Sequence, residues 1–132
     1  MEAIAQCFGT SLDQDDFETT RSVLSPDCVY FIGAEKLIGP EAISNSYEQN
    51  MLEGRKKLDS LEWGQCRIEA LSTSEFLVHF TDYLRHKGRD HIHRCTQKVS
   101  INPSGKIFRI DHLDNPEEQE KLNQFYQEVG LA

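Results

Sequence analysis

The residues best suited to chemistry in this sequence are one aspartate and two histidines on successive extended segments. Asp82 falls in an alternating run whose other same-side members are apolar. A carboxyl group among apolar side chains loses hydration, which raises its pKa toward neutrality and suits it to acid or base catalysis. His93 and His112 are its possible proton partners. Alternatively, Asp82 forms a structural ion pair with Arg94 or a histidine, and each histidine bonds to backbone in the core or at its rim.

Strand alternation also predicts the neighbours of Asp82, because side chains two residues apart share one face of a strand. An apolar cavity holding a few polar groups is the usual form of a small-molecule site. The predicted ligand-binding residues are Tyr30, Tyr47, Val78, Phe80, Cys95, Gln97 and Ile110. The amide of Gln97 could polarise a substrate carbonyl or be satisfied by its neighbours, and the tyrosines could line the pocket or belong to the core.

Motifs for metal or cofactor binding are weak in this sequence. His91-x-His93 places two imidazoles on one strand face, with His112 or Asp82 as a conceivable third ligand. The four cysteines form no Cys-x-x-Cys pair, and there is no glycine-rich phosphate loop. We therefore predict no metal and no cofactor, and we expect the cysteines to be reduced thiols.

The elements that must position these residues follow from hydrophobic periodicity and from turn residues. Helices are predicted at residues 2–12, from Asp15 or Asp16 to Leu24, from Pro40 to a stop at Gly54, and at 115–129. Strands are predicted at residues 28–32, 36–38, 61–71, 76–86, 91–102 and 106–113. Helices followed by a meander of strands are typical of the α+β class. We predict a cone-shaped, curved antiparallel sheet wrapped around the N-terminal helices, with a cavity at its open end and an extra C-terminal helix.

Length and charge limit the possible functions. The 132 residues suffice for a single domain, 1–132, and carry a formal net charge of −8. This charge disfavours nucleic acid and anionic membranes as partners. No apolar run is long enough to span a bilayer, and polar residues interrupt the N-terminus where a signal peptide would be apolar. We expect a cytoplasmic protein.

The order of these elements, together with several short motifs, resembles the nuclear transport factor 2-like superfamily, in particular its SnoaL-like and ketosteroid-isomerase-like branch. The motifs are Leu12-x-x-x-Asp16-Phe17, Leu24-Ser25-Pro26-Asp27, Gly39-Pro40-Glu41-Ala42-Ile43, Lys87-Gly88-Arg89 and Asn102-Pro103-Ser104-Gly105-Lys106-Ile107. They span about residues 4–114. The resemblance implies the cone fold, whereas its members include isomerases, dehydratases, cyclases, epoxide hydrolases and proteins without catalytic activity.

The resemblance also shows what this sequence lacks. Ketosteroid isomerases use a tyrosine on the first helix, an aspartate base after the first strand and a protonated aspartate on a long strand. The matching positions here hold Phe8, Ile32 and Gln97. Steroid isomerisation by that mechanism is therefore not expected, although Gln97 occupies the place of a proton donor.

The sequence thus predicts a protein with a pocket for a small apolar molecule. As an enzyme, it would carry out isomerase, dehydratase or cyclase chemistry on a small carbonyl compound, with Asp82 moving the proton. The alternative is a non-catalytic ligand-binding or dimerisation domain. A homodimer is predicted through the outer sheet face, at His79, Thr81, Tyr83 and Arg85.

Overall fold

The computed structural model describes residues 1–131 and confirms the α+β cone. Its helices are α1 Glu2–Asp13, α2 Phe17–Ser22, α3 Pro40–Lys57 and α4 Pro116–Glu128. Its strands are β1 Leu24–Ile32, β2 Glu35–Ile38, β3 Ser60–Trp63, β4 Arg67–Ala70, β5 Glu75–His86, β6 Arg89–Ile101 and β7 Ile107–Leu113. No helix within residues 1–131 has both the length and the apolar character needed to cross a membrane.

The seven strands form one curved sheet in the order β2–β1–β7–β6–β5–β3, and β4 pairs with the same strand, β5, as β3 does. The sheet is mixed, not wholly antiparallel as predicted, because β1 runs parallel to β7. These two strands are separated by α3 and the five strands β2–β6, so no tight turn forces them to be antiparallel. The long hairpin β5–β6 turns at Lys87 and Gly88, which both have positive φ.

Side chains and prolines fix where the helices begin. Asp16 caps α2 by accepting a hydrogen bond from the backbone N–H of Thr19 at 3.2 Å. Asn115 caps α4 in the same way, and prolines open both α3 and α4, where a missing N–H removes no helical bond. These starts agree with the predicted ones.

Two glycines and one proline explain the boundaries that were predicted wrongly. Helix α3 continues past Gly54 to Lys57, so this glycine is not a helix stop; it gives room to Leu61, whose side chain would lie 2.5 Å from a Cβ at that position. The predicted strand 61–71 is interrupted after Trp63, where Gly64 packs against the ring of Tyr83. Strand β1 starts at Leu24, not at residue 28, and its proline lies where the pairing with β7 shifts register, so no ladder hydrogen bond is lost.

Two apolar clusters flank the interior of the cone. The larger one packs α1 against the inner sheet face, and Phe8 at its centre is completely buried. The smaller one joins α4 to the ends of β3 and β5 through Phe125, Leu61 and Leu84. The C-terminal helix is thus part of the folded domain, and it covers one end of the sheet.

Candidate functional site

A cavity of about 290 Å³ opens into the cone and holds the groups that the sequence singled out. Of the predicted site residues, the structure places Asp82, His93, His112, Tyr30, Tyr47, Phe80, Cys95 and Gln97 on its wall. Strand register explains how they meet. Asp82 on β5 lies directly opposite His93 on β6, and Gln97 on β6 lies directly opposite His112 on β7. Cross-strand neighbours share one face, so all four side chains point into the same space.

Two predicted ligand-binding residues do not line this cavity. Val78 and Ile110 are completely buried in the core and are not among the wall residues. Both side chains point inward, as the alternation along each strand predicts. They lie, however, in the part of the interior that is filled by the core around α1. The helix approaches closely there because of Gly9, where a Cβ would lie only 3.1 Å from Val78 and 2.5 Å from the sulfur of Cys66.

The Asp82 carboxyl is isolated inside an apolar wall. It makes no hydrogen bond to another described residue, and burial raises its pKa from the usual 3.8 to about 7, with a further contribution from the charge of Asp13. The alternative ion pair with Arg94 does not form, because Arg94 lies opposite Thr81 on the outer face of the sheet. Asp82 is therefore half protonated near neutral pH and can both accept and donate a proton.

His93 and His112 both have ring nitrogens without hydrogen-bond partners in the described part of the chain. The Nδ1 atoms of His93 and His112 are buried without a hydrogen-bond partner within residues 1–131. The Nε2 atom of each ring also has no hydrogen-bond partner within residues 1–131, and it is not fully buried. Burial lowers the pKa of His93, opposed by the charge of Glu118. A neutral imidazole at this place can pass a proton between the cavity and solvent.

Three side chains form a hydrogen-bonded chain on the wall of the cavity. The Tyr47 hydroxyl donates to Gln97 Oε1 at 2.6 Å, and Gln97 Nε2 donates to the Tyr30 hydroxyl at 2.9 Å. These bonds fix the orientation of the amide and leave its second N–H without an acceptor in the described part of the chain. Burial raises the pKa of Tyr30 to about 12, so this phenol stays neutral. The amide N–H is suited to binding a ligand oxygen.

Sequence analysis missed two acids on the wall. Asp15 was predicted only as a possible start of the second helix and Asp13 was given no role, yet both line the cavity because α1 ends beside it. Asp13 accepts the backbone N–H of Cys66 at 2.8 Å, and burial raises its pKa. Asp15 has a positive φ of 55°, an unusual backbone conformation for a residue other than glycine. The available signal in the sequence was the run of acids at the end of the first helix. Only the fold shows which of these acids point into the cavity.

We expect Asp13→Asn to lower the pKa of Asp82. The substitution removes a negative charge that disfavours ionisation of Asp82, while the amide oxygen can still accept the Cys66 N–H. The shift should be several tenths of a pKa unit, up to about one. The pKa is read from the side-chain carboxyl carbon by NMR. Asp90→Asn, on the exposed hairpin, is the control, and an equal shift in both variants would contradict direct coupling.

Helix α4 lies against the cavity and contributes residues to its wall. Leu122 and Tyr126 reach the cavity wall, whereas Phe125 points into the smaller apolar cluster and stacks on His91 at 5.2 Å between ring centroids. Burial raises the pKa of Tyr126, and the charge of Asp82 adds to this effect, which places the two groups near each other. The helix thus shields Asp82 from bulk water.

Comparison with known proteins confirms the fold. No protein-family model and no curated protein matches the chain. Among solved structures, a protein described as a SnoaL-like polyketide cyclase from Shewanella denitrificans has a TM-score of 0.68 and 11% identity, over 93% of this chain and 96% of that one. An LEH-like epoxide hydrolase from Mycobacterium tuberculosis has a TM-score of 0.63 and 18% identity, over 90% and 85%.

A second Mycobacterium tuberculosis protein, crystallised with estradiol-17beta-hemisuccinate, has a TM-score of 0.65 and 16% identity, over 88% of this chain and 94% of that one. These likenesses confirm the fold predicted from the resemblance to the nuclear transport factor 2-like superfamily. At such identities, fold is all that they establish, and function has to be argued from the cavity itself.

Proposed function

We propose that this protein is an acid/base catalyst that moves a proton on a small apolar carbonyl compound. The single observation that carries the proposal is the isolated Asp82 carboxyl, which has no hydrogen-bond partner within residues 1–131 and lies in an apolar cavity. A general base works best when its pKa lies near the working pH. The pKa of about 7 meets this condition.

In the proposed step, the Asp82 carboxylate removes a proton from the carbon next to the carbonyl. The electron pair of the broken C–H bond moves onto the carbonyl oxygen, where the free N–H of Gln97 donates to the developing negative charge. Protonated Asp82 then returns the proton, at the same carbon or at a conjugated one. Tyr47 orients the Gln97 amide, and the tyrosines remain neutral because burial raises their pKa values.

The likeness to solved structures supports an apolar ligand. The neighbours include the Mycobacterium tuberculosis protein crystallised with a steroid hemisuccinate and a computationally designed 17-OHP binder. The cavity of this chain is apolar over most of its wall, with aromatic rings from Phe17, Phe80 and Trp63. Apolar burial would provide most of the binding free energy, and the few polar groups would orient the ligand.

Hydrogen exchange on a simple ketone tests the proposal without knowledge of the natural substrate. We expect the protein to speed incorporation of deuterium next to the carbonyl of 2-tetralone in D₂O, followed by NMR. The rate should rise with pH to a plateau, with its midpoint near pH 7, because only ionised Asp82 accepts the proton. A rate equal to that of buffer alone, or a midpoint near pH 4, would contradict the proposal.

The second candidate is a non-catalytic ligand-binding domain, favoured by one observation. The three positions that carry catalytic groups in ketosteroid isomerases hold Phe8, Ile32 and Gln97, and Phe8 is completely buried. Trp63 is the chain's single tryptophan and lies on the cavity wall, so its fluorescence reports ligand binding directly. Quenching by 2-tetralone without proton exchange would support this candidate.

We also propose that the protein forms a homodimer through the outer sheet face. Tyr83 and Ile92 are direct cross-strand neighbours there, with 48% and 43% of their surfaces exposed. His79 on the same face is held within the sheet by Thr96 and Glu69. Sedimentation analysis should give a dimer for the native protein and a monomer for Tyr83→Asp. A monomeric native protein would end this proposal.

A further inference from the structure

The charge balance of the cavity limits the kind of ligand that it can accept. Three carboxyl groups, from Asp13, Asp15 and Asp82, lie on the wall, whereas no lysine or arginine is among the residues of this wall. Burial lowers the pKa of His93, which leaves this imidazole neutral at pH 8. Arg55 compensates Asp15 from beside the cavity, so the uncompensated negative charge at that pH belongs to Asp13 and Asp82, and an anionic ligand would be repelled.

One of these carboxylates already shows how the wall holds a cation. Asp15 Oδ2 accepts a hydrogen bond from the guanidinium of Arg55 at 2.7 Å, and Asp15 Oδ1 accepts the indole N–H of Trp63 at 2.7 Å. The guanidinium carbon of Arg55 lies 5.6 Å from the centre of the Trp63 ring. A carboxylate and an aromatic face therefore bind a cation together at the rim. This pair is satisfied within the protein.

The part of the wall around Asp13 and Asp82 offers the same combination without a protein cation. Asp82 has no hydrogen-bond partner within residues 1–131, and Asp13 accepts hydrogen bonds from the backbone N–H and the thiol of Cys66 but pairs with no cation there. The two acids are close enough for the charge of one to disfavour ionisation of the other. Aromatic rings of Phe80 and Tyr126 complete this part of the wall. A single positive charge placed here would relieve the repulsion between the two carboxylates.

From this arrangement we infer that the ligand of the cavity carries a protonated nitrogen, held by Asp13 against the aromatic wall and near the charge of Asp82. The inference rests on the proposed function, because it concerns the same cavity, and it adds the substrate class: an apolar amine that bears a carbonyl group. The charges balance in the reaction. The ammonium stays protonated and is compensated by Asp13, while Asp82 remains free to take the C–H proton.

Three probes on one bicyclic skeleton separate charge from shape: 2-aminotetralin, 2-tetralone and 1,2,3,4-tetrahydro-2-naphthoic acid. Their dissociation constants are measured at pH 8 by quenching of Trp63 fluorescence. We expect the amine to bind at least about tenfold more tightly than the ketone, and the acid to bind more weakly than either. Equal affinity of amine and ketone, or tighter binding of the acid, would overturn the inference.

Two variants locate the charge that selects the amine. Asp13→Asn and Asp82→Asn should each reduce the preference for amine over ketone by about tenfold while leaving ketone affinity within about threefold, whereas Asp90→Asn should change neither. An amine preference that persists in both cavity variants would contradict the inference. The proposed function is judged separately, by proton exchange on neutral 2-tetralone. If the protein catalyses proton exchange but does not prefer the amine over the ketone, only the inference about the amine is wrong. If it prefers the amine but catalyses no exchange, only the proposed catalytic role is wrong.

Discussion

Asp82→Asn is expected to reduce proton exchange on 2-tetralone by about 10²- to 10⁴-fold, the range that a positioned general base contributes. Asparagine matches aspartate in shape, so the cavity keeps its volume and its aromatic wall. It cannot accept a proton at any pH of interest, so the residual rate should also lose its midpoint near pH 7. The rate is measured by NMR at saturating ketone, together with binding by Trp63 fluorescence.

The matched control, Asp90→Asn, also removes one aspartate charge, but at a position outside the cavity. Asp90 is exposed on the β5–β6 hairpin, where it forms an ion pair with Arg85 at 3.5 Å. Asp90→Asn should keep the full exchange rate and the pH midpoint. If Asp82→Asn keeps the exchange rate while it still binds ketone, the base is another group, and His93 is the next one to test. If ketone binding is lost as well, Asp82 has a structural role in forming the cavity.

Strand parity is the part of the site that could be predicted from sequence. The alternation through β5 placed Asp82 and Phe80 on one face, and the return strand placed His93 and Gln97 opposite them. These predictions depend only on the period of two residues in a strand and on the hairpin turn at Lys87 and Gly88. The structure places all four residues on the cavity wall.

Depth along the cone could not be predicted in this way. Parity tells whether a side chain points inward, not whether a helix already fills the space in front of it. Val78 has the same parity as Asp82, yet it is buried in the core because α1 approaches closely at Gly9. Asp13 is the converse case, a polar residue at a helix end that faces the interior. Both depend on contacts between residues more than 50 positions apart in the chain.

Strand pairing was the other limit of the sequence. Local turns fix hairpins, and the antiparallel pairs predicted from them are present. The parallel pairing of β1 with β7 joins distant segments, and no local signal specifies it. This pairing matters for the site, because it places Tyr30 directly opposite Ile110 on β7. Strand β7 in turn pairs with β6, which carries Gln97. The Tyr30–Gln97–Tyr47 chain of hydrogen bonds was therefore not predictable from local patterns.

Asp82→Asn is also expected to make the protein more stable at pH 8 than the native chain. The pKa of Asp82 is about 7 in the folded protein and near 3.8 once the chain unfolds. This difference corresponds to at most about 4 kcal/mol. The folded state binds the proton more tightly, so this group lowers the free energy of unfolding progressively as pH rises from about 4 to 7, and fully above that. The asparagine variant is free of this penalty.

Urea unfolding followed by Trp63 fluorescence measures the effect. The gain from Asp82→Asn should reach a few kcal/mol at pH 8, stay near or below the bound of about 4 kcal/mol, and fall below about 1 kcal/mol at pH 4, where the native aspartate is protonated in the folded state and partly protonated in the unfolded one. Asp90→Asn should show no such pH dependence. A loss of stability of equal size at both pH values would mean that Asp82 makes structural contacts, which is the ion-pair alternative. A gain in stability of Asp82→Asn that grows with pH would instead mean that the ionised Asp82 carboxylate destabilises the ligand-free protein. A cationic ligand that binds only the folded state would offset this loss of stability.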